Sequence, residues 1–282
     1  MSEQVPDTTH ATRFQVVLPD ESPDMPPRVL TDLARRAEDL RADTLWLPDH
    51  LLPPGPYGTA FGGVYEPLVT LAHLAARTER VRLGTSVLVA PMRDPFTLAK
   101  QAATLHALSG GRFVLGVGVG WSREEFAAVG ADFATRGART DEVLRLLRHL
   151  FEGAGPFRGR FHSYDQGVFE PRPASPLPVT VGGASEPALA RAAALGDAWQ
   201  GVGLDAAGFA RCRDRLRELT GRPVRAQTRI AWTGGEAGFG GAVDLYRALE
   251  REGADAVAVW FGDWEGFGDR MERFAAAVGR SA

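Results

Sequence analysis

Residues 81–120 read VRLGTSVLVAPMRDPFTLAKQAATLHALSGGRFVLGVGVG, a pattern of strand, helix and strand. Val81–Val87 is a short apolar run, and Leu98, Ala102, Leu105 and Leu108 then recur at i, i+4, i+7 and i+10. Arg112–Val119 is apolar again. A helix joining two such strands makes them parallel, with a right-handed crossover. Within the second strand Phe113, Leu115, Val117 and Val119 alternate with Val114, Gly116 and Gly118, and the glycines run on to Gly120. That face is stripped of side chains, so something flat or bulky can approach the backbone. Tight packing against a neighbouring helix is the competing reading.

The same alternation continues in both directions. Phe14–Leu18, Thr44–Leu47, Val179–Gly182, Ala198–Val202, Thr228–Trp232 and Ala256–Trp260 bring the strands to eight. Helical spacing links them, as in Leu30, Leu33, Ala37 and Leu40, and in Val143, Leu147 and Leu150, where Thr140 reads as the cap. Eight such units close into an α/β fold of the (β/α)₈ TIM-barrel type. The doubly wound alternative needs a Gly-x-G-x-x-Gly turn after the first strand, where Leu18-Pro19-Asp20 stands instead. Residues 1–12 read as a flexible polar tail, and 13–282 as a single barrel domain. Two connections exceed what a barrel needs: a Gly- and Pro-rich one at about 51–65, leaving the catalytic end of a strand like a lid, and an insertion at about 152–177, which predicts a small hairpin.

Composition closes off other classes. With 282 residues, 44% of them apolar, the chain can bury a full core without staples. A net charge of −3 gives no reason to expect nucleic acid or a membrane surface as partner. The absence of a long apolar run and the polar first residues point to a cytoplasmic protein. Cys212 is the only cysteine, and no His-Glu-x-x-His occurs, so no metal site is expected. Gly-x-Ser-x-Gly is missing, and the only lysine, Lys100, lies mid-helix, which removes serine-hydrolase and Schiff-base chemistry.

Three places remain where chemistry fits. Asp49-His50 follows an apolar strand, on the rim where barrel enzymes place their reactive groups, and an imidazole there can exchange protons near neutral pH. An ordinary loop histidine is the alternative. Trp121 follows the glycine strand and reads as a stacking wall or a plug. Gly182-Gly183-Ala184-Ser185 leads into Glu186-Pro187, a helix start with Ser185 as cap and backbone N–H groups suited to phosphate, although Glu186 would repel an anion.

Taken in order, Val81 to Pro91, Arg93-Asp94-Pro95, Leu108 to Arg112, Gly116 to Trp121 with Glu125-Phe126, Gly182 to Ser185 and Ala194 to Trp199 resemble the bacterial luciferase-like monooxygenase superfamily. More narrowly they resemble its short deazaflavin branch, which uses coenzyme F420. The resemblance implies a cofactor ring packed on a bulge at Thr85, Ser86 and Val87, with a cis peptide at Ser86-Val87. It implies the pair Asp49 and His50 beside the reactive centre, with His50 catalytic and Asp49 on the cofactor, and a phosphate at Gly182, Gly183, Ala184 and Ser185; Gly118 on the bare strand face and Trp121 at the rim are the further cofactor-binding candidates. It also implies a homodimer through the second and third helices. The activity implied is hydride transfer between F420 and a small organic substrate. The alternative is an FMN-dependent two-component monooxygenase supplied by a separate reductase, and beyond that a non-catalytic flavin-binding protein. Trp121 stands where the family's sugar-phosphate dehydrogenases carry a catalytic glutamate, which disfavours sugar oxidation. Val119 replaces the phosphate-gripping arginine of luciferase, which disfavours FMN. His106 replaces an aspartate at a helix end and reads as structural.

Overall fold

The computed structural model describes residues 11–19, 22–53, 65–153 and 155–280. In chain order these form β1 (Arg13–Val17), α1 (Pro27–Asp39), β2 (Thr44–Leu47), α2 (Pro67–Ala75), β3 (Arg82–Thr85), β4 (Leu88–Val89), α3 (Pro95–Leu108) and β5 (Phe113–Gly118). Then come α4 (Arg123–Ala128), α5 (Arg136–Glu152), β6 (Phe157–Arg158), β7 (Ser163–Tyr164), β8 (Val179–Gly182), α6 (Glu186–Leu195) and β9 (Ala198–Val202). The chain finishes with α7 (Ala206–Leu219), β10 (Arg225–Ala231), α8 (Glu236–Arg251), β11 (Ala256–Trp260) and α9 (Phe267–Ala277).

The parallel sheet runs β3-β2-β1-β11-β10-β9-β8-β5-β4, and a further β3–β5 pairing closes it into a barrel. The expected third strand is broken in two. β3 stops at Thr85 and β4 resumes at Leu88, with a cis peptide between Ser86 and Val87. The alternation of strand residues sorts two cores. Leu45, Leu83, Leu115 and Val257 face the helices, while Val17, Trp46, Val114 and Ala258 pack inside the barrel.

Helix starts follow local chemistry. Glu66 and Asp94 each precede a proline and accept a hydrogen bond from the N–H three residues on, Val69 and Thr97. Thr140 is not the start of α5. It lies in the second turn and donates its hydroxyl to the Arg136 carbonyl at 2.8 Å, because the helix begins at Arg136, before the apolar periodicity does. Ser185 does sit at the N-cap of α6, yet its side chain makes no cap bond.

Within the insertion, β6 and β7 pair as an antiparallel hairpin. Its connection is clamped by the buried Glu142 of α5, whose carboxylate accepts from the N–H groups of Arg160, Phe161 and His162 at 2.5, 2.9 and 2.7 Å. Burial alone would raise the Glu142 pKa, but these donors and the His162 ring outweigh it and hold it below the ordinary 4.5. A depressed carboxylate adds stability that is complete above its unfolded value and lost as pH falls through the folded one. Glu142→Gln is therefore expected to lower stability at pH 7 by about 1–3 kcal/mol, with a smaller deficit at pH 3, read by urea unfolding at both pH values. An equal deficit at both would assign the effect to packing rather than charge.

Residues 1–10 of the expected tail and 54–64 of the expected lid lie outside the described residues. Thr12 does not belong to a free tail: it is buried and donates to the Ala254 carbonyl at 2.7 Å, across the N-terminal end of the barrel. No helix among the described residues is long and apolar enough to cross a membrane.

Candidate active site

The C-terminal ends of the barrel strands gather the residues singled out from the sequence. Thr85 closes β3 with a double clasp on β5, its hydroxyl donating to the Gly116 carbonyl at 2.7 Å and accepting from the Gly116 N–H at 3.0 Å. Beyond it the Ser86 hydroxyl donates to Gln200 Oε1 at 2.7 Å. Val87 then wedges between two strands. A Cβ at Gly118 would lie 2.4 Å from Val87 Cγ2, and one at Gly182 would lie 2.7 Å from Val87 Cγ1. The bare glycine face is thus filled by the chain's own bulge. What approaches the Gly118 backbone closely is Val87.

Asp49 is held within the chain itself. Its carboxylate is fully buried, with Oδ2 accepting the Val89 N–H at 2.8 Å and Oδ1 accepting from Arg93 at 2.6 Å. Arg93 continues to Glu66 at 3.1 Å, and Glu66 caps α2. Asp49 is therefore tied to Val89 and Arg93. A buried carboxylate needs such donors, and Val89 of β4 and Arg93 just beyond it supply them.

His50 is mostly buried, and its Nδ1 lies 2.9 Å from Glu125 Oε2. Glu125 Oε1 accepts the N–H groups of Leu51 and Leu52 at 2.7 and 3.0 Å. Burial would raise the Glu125 pKa, but hydrogen bonds from the His50 ring and from Leu52 and Leu51 outweigh it, and the net shift is downward. An ionised carboxylate only accepts, so the His50 ring turns a protonated Nδ1 toward Glu125. The Trp121 indole, 53% exposed, meets the imidazole edge-on at 5.8 Å between ring centres.

Directly after β8, Gly183 has φ +110°, a backbone conformation that favours glycine, and its N–H donates to the Gln200 carbonyl at 3.2 Å. Ala184 and Ser185 are exposed. The expected repulsion from Glu186 is removed by Arg215, which holds that carboxylate at 2.6 Å and turns it toward α7. An exposed loop at a helix start, with an unspent serine hydroxyl and its acid neutralised, fits an anionic group. Val87 remains partly exposed and can back a ring.

Sequence reasoning overlooked Glu125, Arg93 and Gln200 as site residues. Ser122-x-x-Glu125 has capping-box spacing, and Ser122 does accept the Glu125 N–H at 3.2 Å. The glutamate carboxylate, however, reaches back to His50 instead of closing the box. His106 sits at the other end of the barrel's helix layer, 3.1 Å from the Ser175 hydroxyl, as a structural residue.

The family model described as luciferase-like monooxygenase matches residues 8–233. An uncharacterized protein of Mycobacterium bovis is 36% identical over 200 residues, covering 70% of this chain and 67% of that protein. An F420-dependent glucose-6-phosphate dehydrogenase of Kineococcus radiotolerans is 33% identical over 205 residues, 70% of this chain but only 60% of the dehydrogenase. Among solved structures, an F420-dependent secondary alcohol dehydrogenase in complex with an F420-acetone adduct superposes with a TM-score of 0.79 at 17% identity. The superposition covers 95% of this chain and 99% of the other, a likeness of fold.

Proposed function

Because the chain belongs to the luciferase-like monooxygenase family, we propose that it is an oxidoreductase that binds coenzyme F420 in the barrel mouth and exchanges a hydride with a small organic substrate. The observation that carries this reading is the His50–Glu125 pair, fixed at 2.9 Å beyond the C-terminal end of β2, at the same end of the barrel as the Val87 bulge and the Gly183 turn after β8. The relatives' use of F420 supports the choice of cofactor. F420 supplies two-electron hydride chemistry and reacts poorly with oxygen. Val87 would back its ring, Ser185 and the N-terminus of α6 would hold its phosphate, and His50 would hold or release a proton at Nε2. Trp121 at the rim limits access beside His50, which favours a compact substrate over a sugar phosphate. We extend the proposal to a cytoplasmic homodimer through α2 and α3, whose Val69 and Leu108 are 68% and 71% exposed.

Titration of the purified protein with F420 and with FMN tests the cofactor. F420 is expected to bind at least about tenfold tighter, a difference of about 1.4 kcal/mol. Equal affinities, or a preference for FMN, would replace this reading with an FMN monooxygenase served by a reductase.

A further inference from the structure

The floor of the barrel mouth carries two buried donor atoms, Gln200 Nε2 and Trp260 Nε1, that no hydrogen bond described above uses. Gln200, Arg229 and Trp260 point inward from three adjacent strands, β9, β10 and β11, at the registers Gln200–Gln227, Arg229–Ala258 and Ala231–Trp260. Gln200 is 1% exposed, and with Oε1 accepting from Ser86, its Nε2 is buried without a hydrogen-bond partner. Trp260 packs on the inner cluster of Val17, Trp46, Val114 and Ala258, and its Nε1 is also buried without a partner. Half-buried Arg229 reaches across the barrel to within 3.4 Å of the Ser86 carbonyl. A buried donor left unsatisfied is costly, and proteins keep such groups where a ligand or a water completes them.

We propose that Gln200, Arg229 and Trp260 form a subsite for an electron-rich oxygen, a ring carbonyl or a carboxylate, entering from the mouth. Two orphaned N–H donors, Gln200 Nε2 and Trp260 Nε1, beside the Arg229 guanidinium that already engages the Ser86 carbonyl, match an oxygen acceptor and would reject a donor. Such an oxygen has two sources: the dione edge of the deazaflavin ring, or the carboxylate of an organic acid substrate. For the first source the inference rests on the cofactor reading above; for the second it stands apart from it. The rival occupant is water, which the orphaned Gln227 Oε1 and Thr180 Oγ1 nearby would also suit.

The test compares the full chain with Arg229→Met, Arg229→Lys and Gln200→Glu by calorimetric titration with F420, FMN and benzoate, after melting curves establish folding. Gln200→Glu keeps an oxygen for the Ser86 hydroxyl while turning the donor into a charge, so it serves even where Arg229→Met fails to fold. If the ring supplies the oxygen, Arg229→Met and Gln200→Glu lower F420 affinity tenfold or more, with Arg229→Lys in between. If a substrate acid supplies it, F420 binding holds while benzoate binding by the wild type is lost in the same variants. Folded variants that bind both probes as the wild type does would overturn the subsite and leave the donors to water. A wild type that binds benzoate through Arg229 but neither F420 nor FMN would overturn the proposed function and spare the subsite.

Discussion

Gly116→Ala is expected to yield no stably folded barrel. A Cβ at this position would lie 1.8 Å from the Thr85 carbonyl oxygen and 2.9 Å from its carbon. Both are backbone atoms in the strand that closes the ring, so no rotamer change relieves the overlap. Thr85 is also held to Gly116 by two hydrogen bonds, which would have to break for the strands to separate. Overlap and lost bonds together should exceed about 4 kcal/mol, a large share of a stability of about 5–15 kcal/mol. Gly118→Ala provides the contrast, because its Cβ meets the Val87 side chain at 2.4 Å instead of backbone. That variant should fold with Val87 displaced and cofactor binding weakened, and adding Val87→Ala should recover stability beyond additivity. Circular dichroism and urea unfolding measure all three. A Gly116→Ala protein melting within a few degrees of the wild type would show that the clasp tolerates what its geometry forbids.

These glycines show what the sequence discloses and where it stops. Alternation in residues 113–120 places Gly116 and Gly118 on one face, and that inference needs only the period of a strand. What fills the space comes from Thr85 and Val87 on another stave, which no local pattern reports. The barrel itself is legible because each strand and helix announces its own period, and β2, β8, β9 and β11 have the bounds their apolar runs predict. β10 instead begins at Arg225 and the third strand breaks after Thr85, since pairing with neighbours sets those ends. Asp49 and His50 are adjacent in sequence and divide in space: one is tied to Val89 and Arg93, the other to Glu125, 75 residues on. A pair of residue types suggests chemistry, but only the partners decide which member is available for it.

His50→Asn is expected to lower turnover about 10²-fold or more, the scale on which acid–base groups contribute. Asparagine can still reach Glu125 but cannot titrate. In the wild type the ionised Glu125 fixes the Nδ1 proton, so the charge that builds on the ring as Nε2 takes a proton is stabilised through the same 2.9 Å contact. That stabilisation grows toward the transition state and is small in the resting protein, so cofactor affinity should change much less than turnover. Glu125→Gln tests the positioning half of the pair. It preserves volume but presents a donor where His50 and the Leu51 and Leu52 N–H groups require acceptors. Turnover should fall by about tenfold or more, with a changed pH profile that a purely structural glutamate would not produce. Both variants are read with a panel of small alcohols, aldehydes and ketones by following deazaflavin absorbance, with affinity measured separately. Should His50→Asn turn over normally with a substrate the wild type uses, proton transfer would belong to solvent or to the substrate, and the Glu125 carboxylate would serve only to fasten the start of the connection at Leu51 and Leu52.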